Sequence, residues 1–271
     1  MKYDSVVIYS DLDGTLLNKE RKISQENLDA ISRFVSLGGS FAVATGRMER
    51  TTLINFPSLK INAPSIFFNG AMAYDLNSQE VLFSTFMPDG LDPVLQDIMR
   101  RYPTVCVVVN ARGKGYVFNE NEIIRSQIKK EGLEKVVGSW DDLPGNWIKV
   151  VFGDKHEILE KIKADLDGMG RSDISITFSE HELLDVMASG VSKGAALKKL
   201  KDLYKDKWKL TVAVGDNDND YEMMQQADIA IAVSNATEKV KSAADHVIAH
   251  HDIPCMPRVL EILDEHLRNS V

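Results

Sequence analysis

Four apolar runs in this chain each stop abruptly at polar residues. Val6-Val7-Ile8-Tyr9 ends at Ser10-Asp11, and Phe41-Ala42-Val43-Ala44 at Thr45-Gly46-Arg47. Ser65-Ile66-Phe67-Phe68 ends at Asn69-Gly70, and Leu210-Thr211-Val212-Ala213-Val214 at Gly215-Asp216. Short continuous apolar runs, without alternation, read as parallel strands buried on both faces. Residues 229–233 make a fifth. Between them lie helical spacings. Leu28, Ile31 and Val35 predict a helix over 24–37, capped by Ser24 and stopped by Gly38-Gly39. Two more helices are predicted over 193–204 and 259–267. Strand alternating with helix predicts an α/β fold with a doubly wound, Rossmann-like parallel sheet.

The middle of the chain has another rhythm. It predicts a helix over 88–101 and strands over 104–110 and 115–119 around Arg112-Gly113. A strand over 148–152, a helix over 156–166 and a strand pair over 174–178 and 183–187 follow. This reads as an α+β insert, 86–187, between core segments 1–85 and 188–271.

Composition narrows the function. Of 271 residues, 44% are hydrophobic and 27% charged, so the chain can bury a core and is no disordered tail. A formal charge of −8 argues against a general nucleic-acid binder. No apolar run nears the ~20 residues of a membrane span. Met1-Lys2-Tyr3-Asp4, with Asp11 and Asp13 close behind, does not read as a secretory signal. Cys106 and Cys255 form no CxxC and no disulfide framework. A cytoplasmic location is expected, with oligomeric state left open.

The polar residues at the strand ends carry the chemistry. Asp11, Thr45, Asn69 and Asp216 come from four stretches of sequence, yet an open α/β sheet delivers them to one edge, where ligands bind. Asp11 and Asp13, two apart, project to the same side of extended chain. Gly215-Asp216-Asn217-Asp218-Asn219-Asp220 adds further carboxylates. Like charges gathered together are costly unless a cation joins them or some are protonated. Oxygen ligands favour Mg2+ over Zn2+.

Other motifs fail. An EF-hand loop needs Gly at its sixth place and Glu at its twelfth. Counted from Asp216 those places hold Tyr221 and Ala227, and the sixth place from Asp11 is Leu16. There is no P-loop, no complete dinucleotide fingerprint and no HExxH. Asp218 reads as a cap or turn former, and His250-His251 as a solvated turn. Taken alone, Lys193 would be an ordinary surface lysine and Thr45 a simple cap; their value comes from the set.

Four ordered motifs, DLDGTL at 11–16, ATGR at 44–47, GVSKG at 190–194 and GDNDND at 215–220, resemble the haloacid dehalogenase superfamily. The likeness is to its Cof-like phosphatase branch with a C2B cap. The resemblance implies that Asp11 is the nucleophile, forming an aspartyl-phosphate, and Asp13 the general acid and base. It implies Mg2+ held by the carboxylates of Asp11 and Asp216 and by the backbone carbonyl of Asp13. Leu12 (through its backbone), Thr45, Gly46, Lys193 and Asn219 would hold the phosphoryl oxygens. Thr45 and Lys193 thereby join the catalytic set. Asp220 would orient these groups or join the ligands. Arg47 and Asn69, near strand ends, are further phosphate-binding candidates. Arg112, Lys114, Lys149 and His181 are polar candidates in the insert.

Phosphoryl transfer is mostly positioning and charge neutralisation, which a metal and a lysine supply. Asp13, where cation-pumping relatives carry Thr, favours ester hydrolysis or mutase chemistry. The segment from His250 to Pro254 lacks the Asp-Gly turn often found there. The expected function is a Mg2+-dependent phosphatase of a small phosphorylated metabolite such as a sugar phosphate. A phosphomutase and a non-catalytic sugar-phosphate-binding regulator are the alternatives.

Overall fold

The structure, a computed structural model, describes residues 1–137 and 139–269. The chain divides into two compact units. The first comprises Met1–Arg47, Phe56–Phe83 and Ser192–Val271. Its centre is a five-stranded parallel sheet in the order His246–Ile248, Ile229–Val233, Leu210–Gly215, Val6–Ser10, Ser40–Val43. A parallel bridge from Ala44 to Ile66 sets Ser65–Phe67 beside the Ser40–Val43 edge. That strand pairs antiparallel with Met72–Asp75 in a small three-stranded sheet completed by Glu80–Ser84.

The apolar runs are buried on both faces, as their lack of alternation implies. Val7 and Tyr9 pack in one cluster with Leu197 and Leu200 of the Lys193–Leu203 helix and with Met223 and Met224 of Tyr221–Gln226. The helices Gln25–Ser36 and Cys255–Asn269 pack against each other and bury Ile31, Phe34, Val259 and Ile262. From Val6–Ser10 the sheet grows outward through Ser40–Val43 on one side and through Leu210–Gly215 on the other. Strand order reverses between these neighbours, and a crevice at the carboxyl ends of such a pair is the usual ligand site.

The second unit comprises Met48–Asn55 and Ser84–Val191. Its six-stranded sheet runs Ile174–Glu180, Leu183–Ala188, Trp147–Gly153, Cys106–Ala111, Lys114–Phe118, Lys135–Val137. All pairings are antiparallel except the last. Alternation divides its faces. Val107, Val109, Val150 and Phe152 pack with Leu95 and Ile98 of the Asp92–Arg101 helix and with Leu159 and Ile162 of His156–Gly168. Cys106, Val108, Val117 and Leu183 pack with Ile124 of Glu122–Glu131. Both cysteines are free and buried.

Two of the shifts in predicted boundaries have a clear local cause. The helix expected from 88 begins at Asp92, because Gly90 turns the chain at φ +80° and proline stands in the first helical turn. The strand expected over 65–68 ends at Phe67, because Phe68 and Asn69 both adopt positive φ, 50° and 53°. Among the described residues, no helix is long and apolar enough to cross a membrane.

Candidate active site

Asp11 follows directly on the Val6–Ser10 strand, and its amide still reaches Val214 O of the neighbouring strand at 2.9 Å. Leu12 O then accepts from the amides of Thr15 and Leu17, closing a tight turn. Gly14, at φ +83°, lies in that turn, and a β-carbon there would stand 2.4 Å from Asp216 Oδ2. Any side chain at this position would displace Asp216, so DLDG needs its glycine for close approach as well as for φ. Thr15 Oγ1 donates to Asp216 Oδ1 at 2.8 Å and ties the two strand ends together.

Lys193 opens the helix after Gly190-Val191-Ser192, with Ser192 Oγ accepting from the Ala195 amide at 3.0 Å. A cation in the first turn works against the helix dipole. Two carboxylates offset it: Nζ lies 2.7 Å from Asp11 Oδ1 and 2.7 Å from Asp220 Oδ1, and Lys193 and Asp220 are fully buried. Asp220 Oδ2 accepts the amides of Asp216 and Asn217 at 2.9 and 3.1 Å. Gly215 makes room for this, since a β-carbon there would lie 2.6 Å from the Asp220 carboxylate.

The electrostatics follow from burial. Desolvation pushes Asp11 well above the ordinary carboxylate range; Lys193 opposes it, and Asp220, Asp216 and Asp13 add to it. Desolvation, with the charge of Asp220, pushes Asp216 up to about 6, against the pull of Thr15 and Lys193. Burial would drive Lys193 down, but Asp11 and Asp220 outweigh it and hold the ammonium above its usual value.

Asp11, Asp216 and Asp220 each offer an oxygen, and these lie within 4.8 Å of one another. Hydrogen bonds occupy Asp11 Oδ1, Asp216 Oδ1 and both oxygens of Asp220. Asp11 Oδ2 and Asp216 Oδ2 take none from the described residues. Two such oxygens, in a cluster with more carboxylates than cations, fit a hard divalent ion. Asp13 is not in this group. Its carboxylate pairs with Arg47 at 2.7 Å and with Arg21 at 2.9 Å.

The strand ends do bring the other candidates together. Thr45 is buried, its hydroxyl accepts the Arg47 amide at 3.1 Å, and its carbonyl accepts the Asn69 amide at 3.0 Å. A β-carbon on Gly46 would stand 3.0 Å from Asn69 Oδ1, which itself accepts from Asn219 Nδ2 at 3.0 Å. Gly70, at φ +108°, lets this turn press on the Lys193 helix, because a β-carbon there would strike Ser192 O at 2.1 Å. Arg47, expected on phosphate, engages Asp13. Thr15 and Arg21 were not among the expected site residues. Thr15 was signalled by its place in DLDGTL; Arg21 had no sequence signal.

In the second unit, Lys114 pairs with Glu134 at 2.8 Å and Lys149 with Asp185 at 2.5 Å. His181 stacks on His156, with ring centroids 4.4 Å apart, and Arg112 turns the chain at φ +49°. These four do not form one cluster.

Known proteins resemble this chain over most of its length. The phosphatase of 5-amino-6-(5-phospho-D-ribitylamino)uracil YitU from Bacillus subtilis (strain 168) is 25% identical over 270 residues, covering 96% of this chain and 98% of that protein. The pyridoxal phosphate phosphatase YbhA of Escherichia coli (strain K12) is 26% identical over 266 residues, covering 89% and 92%. The crystal structure of TM0651 from Thermotoga maritima superposes with a TM-score of 0.83 at 28% identity, covering 94% of this chain and 96% of that one. Residues 8–254 match the family described as haloacid dehalogenase-like hydrolase, and the chain belongs to that family.

Proposed function

We propose that this protein is a Mg2+-dependent phosphatase that hydrolyses a small phosphorylated metabolite by way of an aspartyl-phosphate on Asp11. The carrying observation is one buried constellation: Asp11 at a strand end, Lys193 2.7 Å from it, and Asp216 and Asp220 beside it. Relatives named as phosphatases support the same class.

One carboxylate oxygen of Asp11 attacks phosphorus while Lys193, 2.7 Å from Oδ1, prevents the carboxylate from turning. Burial raises the energy of the Asp11 anion, and bonding to phosphorus relieves it. Thr45, Gly46, Asn219 and the Leu12 backbone line the place where the phosphoryl oxygens sit. Asp13 gives a proton to the departing alkoxide and then takes one from the water that attacks the phosphoenzyme. Asp220 positions Lys193 and, through two amides, Asp216 and its neighbour. Asp11, Asp216 and the Asp13 carbonyl would hold Mg2+, which would supply charge neutralisation at the phosphoryl group. Residues 86–187 act as a cap that selects the leaving group. The enzyme works in the cytoplasm on free metabolites.

The test is phosphate release from a panel of phosphomonoesters that includes sugar phosphates, pyridoxal phosphate and 5-amino-6-(5-phospho-D-ribitylamino)uracil. Hydrolysis of at least one, lost on chelation and restored by Mg2+, is expected. Full turnover after exhaustive chelation would overturn the metal assignment, and isomerisation without phosphate release would make it a mutase.

A further inference from the structure

We infer that His250, His251 and Asp252 form a second metal site, suited to a borderline cation such as Zn2+, which clamps the segment that follows the DLDGT turn. One ligand atom from each of the three lies within 4.8 Å of the other two. Two imidazoles and a single carboxylate are a donor set for Zn2+ rather than for Mg2+. The all-carboxylate cluster around Asp11 has the opposite preference, so the two sites would sort metals by chemistry.

Hydrogen bonding prepares His251 as a neutral ligand and fixes the tautomer of His250. His251 Nδ1 lies 2.6 Å from Leu17 O. A carbonyl can only accept, so Nδ1 carries the proton and Nε2 keeps its lone pair. A ligating histidine usually has this arrangement, its other nitrogen donating to a carbonyl or carboxylate. His250 Nδ1 accepts the Asp252 amide at a long 3.2 Å, so the proton sits on Nε2, and an ion at Nδ1 would replace this weak bond. That atom stands 3.6 Å from Asp252 Oδ2. Two ligands of a tetrahedral zinc ion stand roughly 3.3 Å apart. Asp252 Oδ1 is already engaged, accepting the Lys19 amide at 2.9 Å, which leaves Oδ2 for the ion.

The same residues hold the catalytic turn from behind. His251 grips Leu17 O, Asp252 grips the Lys19 amide, and Asn235 joins His251 to the turn. Asn235 Oδ1 accepts the His251 amide at 3.0 Å, and its Nδ2 donates to Gly14 O at 2.8 Å. An ion bound here would tie both grips together. A plain His–Asp ion pair would hold the segment without needing a metal, and the experiment separates the two.

The probe is Zn2+ titrated calorimetrically into the full-length protein at pH 7.5, with Mg2+ in large excess to fill the Asp11 cluster. One Zn2+ per chain is expected, weakened at least tenfold in His250→Ala and in Asp252→Ala. Both variants should unfold cooperatively in urea without metal, which shows that they fold. Co2+ in place of Zn2+ should give the strong visible bands of a four-coordinate site, and exchange of the Lys19 amide should slow on Zn2+ addition. Equal Zn2+ binding by parent and both variants, or only the weak bands of octahedral Co2+, would overturn the site. Unchanged Lys19 exchange would overturn the clamp.

Discussion

Arg47 grips Asp13 through both carboxylate oxygens, Nε to Oδ2 at 2.7 Å and a terminal nitrogen to Oδ1 at 2.8 Å. The pair is lopsided: the arginine side chain is 5% exposed and the carboxylate 42%. A buried guanidinium is itself immobile, so it fixes the orientation of the group it holds. Removing it, as in Arg47→Met, leaves Asp13 with Arg21 on the solvent side. Turnover should fall roughly tenfold to a hundredfold, part of what a general acid–base group contributes. Mg2+ activation should stay as it was. Arg47→Lys should recover little, since an ammonium cannot bind both oxygens. Steady-state kinetics across a Mg2+ series check this, and an unchanged kcat in Arg47→Met would leave the pair without a catalytic role.

Lys193 answers for more charge than any other residue in the site. In Lys193→Met the carboxylates of Asp11, Asp216 and Asp220 lose their shared cation. Removing one partner of a buried pair costs about 3–5 kcal/mol. Urea unfolding without metal should show a loss of that order, and Mg2+ should restore part of it by binding the folded form. The double variant Lys193→Met/Asp220→Leu should be more stable than Lys193→Met alone. If Lys193→Met unfolds at the parent's urea midpoint, the ion pairs contribute no net stability.

How much of this could be read beforehand differs from residue to residue. The buried parallel strands were legible because a strand covered on both faces needs an unbroken apolar run, and Val6–Ser10 and Leu210–Gly215 have one. Asp11 and Asp216 were legible as the polar residues at which those runs stop. The helices Glu49–Asn55, Tyr221–Gln226 and Glu238–Ala243 went unpredicted, since six or seven residues are too few to show a helical period. Glu80–Ser84 is only partly buried and carries no clear alternation. Arg21 reaches Asp13 because Asn18 Oδ1 accepts the Glu20 and Lys22 amides and curls the loop, a local hydrogen-bond effect with no periodic signature. The contact of His251 with Leu17 joins residues 234 apart in sequence, and only the folded chain brings them together.

Metal affinity should depend on pH through Asp216. Its carboxyl is raised to about 6, so the metal-free folded protein holds that proton more tightly than the unfolded chain does. Two consequences follow in sign. The metal-free fold loses stability from this group as pH rises from about 4 through 6. Mg2+, which needs the anion, binds more weakly as pH falls below 6, by about tenfold per unit. Calorimetric titrations with Mg2+ at pH 7.5, 6 and 5 test this. Equal affinity at all three would remove Asp216 from the ligand set.

Asp13 and Asp11 can be told apart by where the reaction stalls. Hydrolysis through an aspartyl-phosphate has two steps with opposite needs. When Asp11 displaces an alkoxide, the alkoxide needs a proton. When water displaces Asp11 from phosphorus, the water must lose one. A single carboxyl that ends the first step ionised is ready for the second, and Asp13, two residues from Asp11, is the group proposed for both. An aryl ester such as p-nitrophenyl phosphate leaves as a stable phenolate and needs little help in the first step. It still needs the base in the second. Asp13→Asn mixed with the aryl ester should release one equivalent of phenolate and then stop, its mass raised by one phosphoryl group after acid quench. With a sugar phosphate, whose alkoxide is a poor leaving group, the same variant should acquire phosphate far more slowly. Asp11→Asn should carry none with either ester, and its turnover should fall at least a thousandfold, or ~4 kcal/mol of barrier. The amide in Asp13→Asn still offers an acceptor oxygen to Arg47, so the side chain keeps a partner while losing its acid–base function. If Asp13→Asn turns over both esters normally, or takes up no phosphate from the aryl ester, proton transfer belongs to another group.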